Sequence, residues 1–248
     1  MALALVTGAA RGIGRATAAR LVSAGYEVIV ADLDGAAAET TASEIGAKAA
    51  QVDVADEASV AAVAAGISDL AVLVNNAGMY LPGKLADVTT EHFHKVFDVN
   101  VLGPLLMTRH LADALAANGG GAVVNVASMS AFMPVPGTGV YSMAKAAVAS
   151  YTEAAALEYA PRGIRVNAVA PGRISTEMTA DRQGDPAREA RTNALIPLGR
   201  SGLAEDVAEA ICALATGAAY VTGQVLRVDG GLTINTVPLL QAAQSGGI

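Results

Sequence analysis

Tyr141 and Lys145 stand four residues apart in a helical run, so their side chains share one face, one turn apart. A free phenol ionises near pH 10, so acid–base work near pH 7 requires about three units of preferential stabilisation of the phenolate, roughly 4 kcal/mol. A neighbouring ammonium supplies a field of the right sign. A plain surface Tyr–Lys contact is the alternative. Ser128 follows the apolar run Ala122–Ala127 and precedes Tyr141 by thirteen residues. That places it at the carboxyl edge of a sheet, where doubly wound folds bind ligands. Asn100 interrupts an apolar helical segment, Val99-Asn100-Val101, a costly placement unless its amide is hydrogen-bonded.

A second group of residues suits a dinucleotide. Thr7-Gly8-Ala9-Ala10-Arg11-Gly12-Ile13-Gly14 lies between a strand-like run and the helical run Arg15–Ala24, which Gly25 ends. Gly8 permits a sharp turn, Gly12 lets backbone N–H groups approach a pyrophosphate at the positive helix end, and Gly14 lets the helix sit close on the sheet. The spacing is GxxxGxG, and in a chain with 26 glycines a plain tight turn is the competing explanation. Asp32 closes the second strand 18 positions after Gly14. There a carboxylate accepts hydrogen bonds from both hydroxyls of an adenosine ribose and repels a 2′-phosphate; capping the next helix is its ordinary alternative. Asp53, in Val52-Asp53-Val54, is positioned to bond an adenine amino group, and Asn75-Asn76-Ala77-Gly78 ends the fourth strand where the backbone must run close to the cofactor. Each alone is also a common turn.

Positioning these residues requires alternating strands and helices. Short apolar runs at 2–6, 27–31, 49–54, 70–74, 122–127, 164–170 and 224–228 have the length of buried parallel strands. Helical spacing fills 12–24, 36–45, 56–66, 90–117, 141–160 and 204–216. The pattern predicts an α/β, Rossmann-like, doubly wound parallel sheet of seven strands with helices on both faces, one domain over 1–248. The charged stretch Ile174–Arg200 reads as an excursion that covers the site. Hydrophobic residues at 53% against 16% charged exclude a disordered chain, and a net charge of −7 without a basic run disfavours nucleic acid. The uncharged stretch 114–144 contains Gly119, Gly120, Gly121, Pro134 and Pro136 and is no membrane span, and the N-terminus lacks a cationic leader, so a cytoplasmic protein is expected. Cys212 stands alone, His92 and His94 point to opposite sides of a helix and His110 has no partner at ligand spacing, so no metal is expected. No GxSxG elbow supports a hydrolase. Met129, Met133 and Met143 suggest an apolar wall near the site.

Taken together, TGAARGIG at 7–14, NNAG at 75–78, Asn100, Ser128, YSMAK at 141–145, Val166-Asn167, Pro171-Gly172 and Val228-Asp229-Gly230-Gly231 span almost the whole chain. In order and spacing they closely resemble the short-chain dehydrogenase/reductase family in its short form. The resemblance implies that Tyr141 is the general acid/base, that Lys145 bonds the nicotinamide ribose and assists Tyr141, that Ser128 orients the substrate oxygen and that Asn100 supports a proton-relay water. It implies cofactor contacts from Gly8, Arg11, Gly12, Ile13, Gly14, Asp32, Asp53, Val54, Asn76, Ala77, Gly78, Tyr141, Lys145, Pro171, Gly172, Ile174 and Thr176. It also implies a homotetramer built through the helices at 90–117 and 141–160, with the tail 233–248 crossing to a neighbour or disordered. With no basic residue in Ala31-Asp32-Leu33-Asp34, the expected cofactor is NAD, and the expected reaction interconverts a small secondary alcohol and a ketone. An NADP-dependent 3-oxoacyl thioester reductase is the rival, kept open by Arg11 and Arg15; a catalytically silent dinucleotide-binding protein is a remote alternative. Reductases that serve acyl carrier proteins place basic residues just before the fifth and the sixth strands; here Asn118-Gly119-Gly120-Gly121 fills the first place, while Arg162 and Arg165 keep the second. Arg173 is placed to pair a carboxylate of a small substrate or, alternatively, Glu177.

Overall fold

The period-two alternation of the strands sorts the core into two layers. Ala4, Val6, Val28, Val30, Val72, Val74, Val124, Val126 and Val169 face one way, into a cluster with Ala18, Leu21, Val207 and Ile211; Leu5, Leu73, Val123 and Val166 face the other way, onto Leu106, Met107, Leu111 and Leu115. In the computed structural model, which describes residues 1–175 and 186–236, this produces a parallel sheet of seven strands with helices on both faces. The elements run β1 (Leu3–Thr7), α1 (Gly12–Ser23), β2 (Glu27–Asp32), α2 (Gly35–Ile45), β3 (Lys48–Gln51), α3 (Glu57–Ala64), β4 (Val72–Asn75), α4 (Thr90–Phe97) and α5 (Gly103–Ala116). They continue with β5 (Ala122–Val126), α6 (Gly139–Tyr159), β6 (Arg165–Pro171), β7 (Ile174–Ser175), α7 (Pro186–Asn193), β8 (Gly202–Leu203), α8 (Ala204–Cys212) and β9 (Val225–Val228). The order β3-β2-β1-β4-β5-β6-β9 reverses between β1 and β4, so the ligand crevice of such a sheet opens at their carboxyl ends.

Three expectations need correction. The run 49–54 is not a strand throughout: β3 ends at Gln51 and is largely exposed at the sheet edge. Val52 and Val54 are buried by packing beyond the ladder, and Asp53 turns the chain by accepting the Ala55 N–H at 2.9 Å. The segment 90–117 is not one α-helix, because a π-turn at Asp98–Leu102 separates α4 from α5, and Asn100 lies in it. A second π-type turn, Ala213–Gly217, likewise ends α8 before residue 216. The excursion at 174–200 is closed at its base by a small parallel pair, Ile174 opposite Gly202 and Ser175 opposite Leu203. Its stretch 176–185, with Thr176 and Glu177, lies outside the described residues, as does the tail from 237.

A buried polar chain ties β4 and β5 to their helices. Asn75 Nδ2 donates to Asn125 Oδ1 at 2.9 Å and to Thr108 Oγ1 at 3.2 Å, and Asn125 Nδ2 donates to Thr152 Oγ1 at 2.9 Å. β4, β5, α5 and α6 are thereby pinned by groups that have no water to fall back on. Asn125→Ala strands the Asn75 amide and opens a small cavity, so it is expected to destabilise the protein by about 2–4 kcal/mol. Urea unfolding checks this, and a change below about 1 kcal/mol removes the network from the account.

Candidate active site

The glycine turn has the geometry of a phosphate cradle. The chain leaves β1 through Gly8 (φ 61°) and enters α1 at Gly12 (φ 56°), both in the region that L side chains avoid. A Cβ on Gly14 would stand 2.3 Å from the Gly8 carbonyl oxygen and 2.5 Å from Asn76 Nδ2. The first turn of α1 holds no acidic side chain, and Arg11 at its cap contributes no side-chain bond, so its orphan amides suit an anion. The cradle is braced from three sides. Asn76 Nδ2 donates to the Thr7 and Gly8 carbonyls (2.9 and 2.8 Å), Ala10 N–H donates to Asp32 Oδ2 (3.0 Å), and Thr41 Oγ1 donates to the Ala10 carbonyl (2.8 Å).

Asp32 ends β2 and is half-buried, its other oxygen accepting the Asp34 N–H at 3.2 Å. Capping α2, the ordinary job for a strand-end Asp, falls to Asp34, which accepts the Ala37 N–H at 3.1 Å. The Asp32 oxygens therefore keep lone pairs for ribose hydroxyls. Val54 is buried against Gly103. Ile13 packs against the core, Ala77 crosses Gly8 closely, Pro171 ends β6 with Gly172 against Asp229, and Ile174 is buried in β7. Arg15 pairs with Glu44 at 2.9 Å, while Arg11 is exposed and has no ion pair among the described residues. Arg173 lines a cavity of about 250 Å³ with Arg200, Asp206 and Asp229, and the Arg200–Asp206 pair is bidentate.

Across the crevice, α6 begins at Gly139, which puts Tyr141 in its first turn and Lys145 one turn on. Lys145 is buried, donates to the Val126 carbonyl at 2.8 Å and lies 5.7 Å from the centre of the Tyr141 ring. Ser128, just past β5, accepts the Ser130 N–H at 3.1 Å and is hydrogen-bonded to the Tyr141 phenol. Asn100 is fully buried; its Nδ2 donates to the Met79 and Val96 carbonyls, both at 2.8 Å, and its Oδ1 accepts the Met79 N–H at 3.3 Å. The visible work of its side chain is to clamp the loop after β4, with both amide hydrogens spent inside the protein. Gly78 separates it from Lys145: a Cβ there would lie 3.0 Å from Asn100 Oδ1 and 3.4 Å from Lys145 Nζ. Sequence reasoning missed Tyr80, whose ring meets that of Tyr141 edge-on at 5.1 Å and 87°. No spacing rule marks a lone Tyr in a loop.

Burial pushes the Tyr141 phenol above its usual range, the hydrogen bond from Ser128 pulls it down, and Tyr80 adds to the rise. Burial also pulls the Lys145 ammonium down to about 8. The arrangement thus holds a neutral phenol in reach of a hydroxyl and a buried amine. The groups present suit a dinucleotide: the cradle at Gly8–Gly14 would take the pyrophosphate and Asp32 the adenosine ribose, and Lys145 has two donors left that would serve the second ribose.

The chain matches a family model described as enoyl-(acyl carrier protein) reductase over residues 8–233. It is 44% identical over 223 residues to the inactive 2-(S)-hydroxypropyl-CoM dehydrogenase 2 of Xanthobacter autotrophicus, covering 86% of this chain and 97% of that protein. Among solved structures it is similar to a short chain dehydrogenase/reductase family protein, with 37% identity and a TM-score of 0.88 over 94% of this chain and 98% of the other. It is also similar to a gluconate 5-dehydrogenase from Burkholderia cenocepacia in complex with NADP and tartrate, with 31% identity and a TM-score of 0.89 over 94% and 96%.

The Lys145 environment has a thermodynamic signature. Its folded-state value of about 8 lies below the ordinary lysine value near 10.4. The unfolded chain therefore binds more protons between these limits, and stability rises with pH across that window. The stability difference between the wild type and Lys145→Met, both free of cofactor, is expected to grow by up to about 3 kcal/mol from pH 8 to pH 10.4 in urea titrations. A flat difference contradicts the burial of the amine.

Proposed function

The chain belongs to the short-chain dehydrogenase/reductase family, and on that premise we propose that it is an NAD-dependent oxidoreductase interconverting a secondary alcohol and a ketone, with Tyr141 as general acid/base. One observation carries the reading: Ser128, Tyr141 and Lys145 converge at the carboxyl edge of β5, next to a glycine cradle with Asp32 at its far side. A bound nicotinamide dinucleotide supplies the hydride in reduction and accepts it in oxidation. As the carbonyl carbon gains hydride, the carbonyl oxygen takes the proton from Tyr141 Oη, with Ser128 Oγ–H bonded to the same oxygen. Lys145 steadies the resulting phenolate, which is then reprotonated from water. Oxidation reverses each step. The neutral phenol favoured by burial is the acid that reduction needs.

Asp32 supports NAD. Its carboxylate faces no basic neighbour in Ala31-Asp32-Leu33-Asp34, and Arg15, one of the two arginines that could serve a 2′-phosphate, is tied to Glu44. The rival reading, an NADP-dependent 3-oxoacyl carrier-protein reductase, shares the acyl carrier protein with the description of the matching family model, which names an enoyl reductase. Against it, Arg162 is bonded to the Ala112 carbonyl and Asp113, and Arg165 caps the carbonyls of Leu214, Ala215 and Val221. Neither is a free basic rim. A catalytically silent protein would have no use for the complete Ser128–Tyr141–Lys145 set. No helix among the described residues is long and apolar enough to cross a membrane, in keeping with a cytoplasmic enzyme acting on a small molecule.

The test is a screen of free ketones, secondary alcohols and one 3-oxoacyl carrier-protein thioester with both cofactors, following absorbance of the reduced nicotinamide. The expected result is a free substrate with at least about tenfold preference for NAD, about 1.4 kcal/mol, and a loss of roughly 10²–10⁴ in turnover for Tyr141→Phe. Higher efficiency with the thioester, or equal efficiency with NADP, replaces this reading by the rival. Leu105 on α5 and Leu157 on α6 are exposed at 37% and 79%, which supports a homotetramer through these helices; sedimentation as a monomer at micromolar concentration contradicts it.

A further inference from the structure

Three features lie outside the chemistry assigned so far: the Arg173 cavity, the unpartnered Nε2 of His92 under Gly83, and the ring contact of Tyr80 with Tyr141. The third joins directly to the site. Tyr80 sits in the loop that follows β4, and that loop is held at both ends. On one side, both backbone polar groups of the adjacent Met79 are bonded to the Asn100 amide. On the other, Gly83 N–H donates to the Gly137 carbonyl at 3.0 Å, Gly83 bridges Thr138, and Leu85 lies over Gly139, at the start of the helix that carries Tyr141. These contacts hold the loop that sets the phenol ring of Tyr80 against that of Tyr141, in the edge-to-face arrangement that aromatic pairs prefer.

We propose that Tyr80 is a positioning residue for the acid–base step, holding the Tyr141 ring in the rotamer that keeps its hydroxyl beside Ser128. The proposal rests on Tyr141 being the general acid/base. It gives the buried Asn100 a concrete purpose, since the Asn100 clamp on Met79 sets where Tyr80 stands. The groups that face the Tyr141 phenol are Lys145 from its own helix, Ser128 from the end of β5 and Tyr80 from the loop. The first two act on charge and hydrogen bonding. Tyr80 supplies a flat apolar wall. Removing the ring should therefore free the Tyr141 side chain, whereas removing only the hydroxyl should keep it fixed.

The experiment compares Tyr80→Phe and Tyr80→Ala in the full-length protein labelled with 3-fluorotyrosine, the Tyr141 resonance being the one that Tyr141→Phe deletes. Turnover is followed with the best free substrate of the screen. Tyr80→Phe is expected to retain the Tyr141 line position and at least half of wild-type kcat. Tyr80→Ala is expected to broaden or split the Tyr141 resonance and to lower kcat by about tenfold or more with cofactor Kd unchanged, the scale of an approximately 1.4 kcal/mol loss of alignment. A Tyr80→Ala protein with an unshifted, sharp Tyr141 resonance and wild-type kcat overturns the proposal. So does an equal loss in both variants, because it assigns the effect to the hydroxyl. Full activity of Tyr141→Phe sinks the general-acid reading itself, a result distinct from either.

Discussion

A buried cation organises this molecule. Lys145 is almost wholly withdrawn from water, with one hydrogen bond to the Val126 carbonyl and the face of Tyr141 nearby. Burying an ammonium is costly unless its donors are met, so the structure around it must be stiff enough to keep it there. The Asn75–Asn125–Thr152 chain fixes β4 and β5 against α5 and α6, and the π-turn between α4 and α5 brings Asn100 to the other side of Gly78. Absence of a side chain at Gly78 is what lets these groups approach one another.

The same burial sets up an opposition. It raises the phenol of Tyr141 and lowers the amine of Lys145, so each favours its neutral form. A neutral phenol suits reduction, but oxidation needs a phenolate, about three units from an ordinary tyrosine and further from this one. The free protein does not supply that stabilisation. The positive charge of an oxidised nicotinamide ring, together with Lys145 held protonated by ribose hydroxyls, has the sign required. In this account the acid–base group is completed by the cofactor, and oxidation is coupled to its binding.

Much of this was legible in the residues. Glycine spacing, the Tyr–Lys repeat of four and short aliphatic runs are local signals, and the two-layer sheet, the Gly8–Gly14 cradle and the start of α6 follow from them. What escaped depended on packing across the chain. β3 stops at Gln51 where Asp53 turns the chain, while Val52 and Val54 stay buried in the layer with Val60 and Leu106, and hydrophobicity alone does not separate these cases. The π-turn at 98–102 has the same apolar texture as the helices it joins. Capping of α2 stayed an alternative for Asp32 until geometry gave the cap to Asp34. Tyr80 carried no pattern at all, since its importance comes from a ring 61 residues later in the chain.

The central claim is that Tyr141 becomes an acid–base group at neutral pH only in the cofactor complex. Its most direct test is the phenolate absorbance of the wild type minus that of Tyr141→Phe, titrated with and without saturating NAD. The account predicts a midpoint above that of an ordinary tyrosine for the free protein and a fall of about three units or more in the complex. A midpoint that NAD leaves unmoved contradicts it.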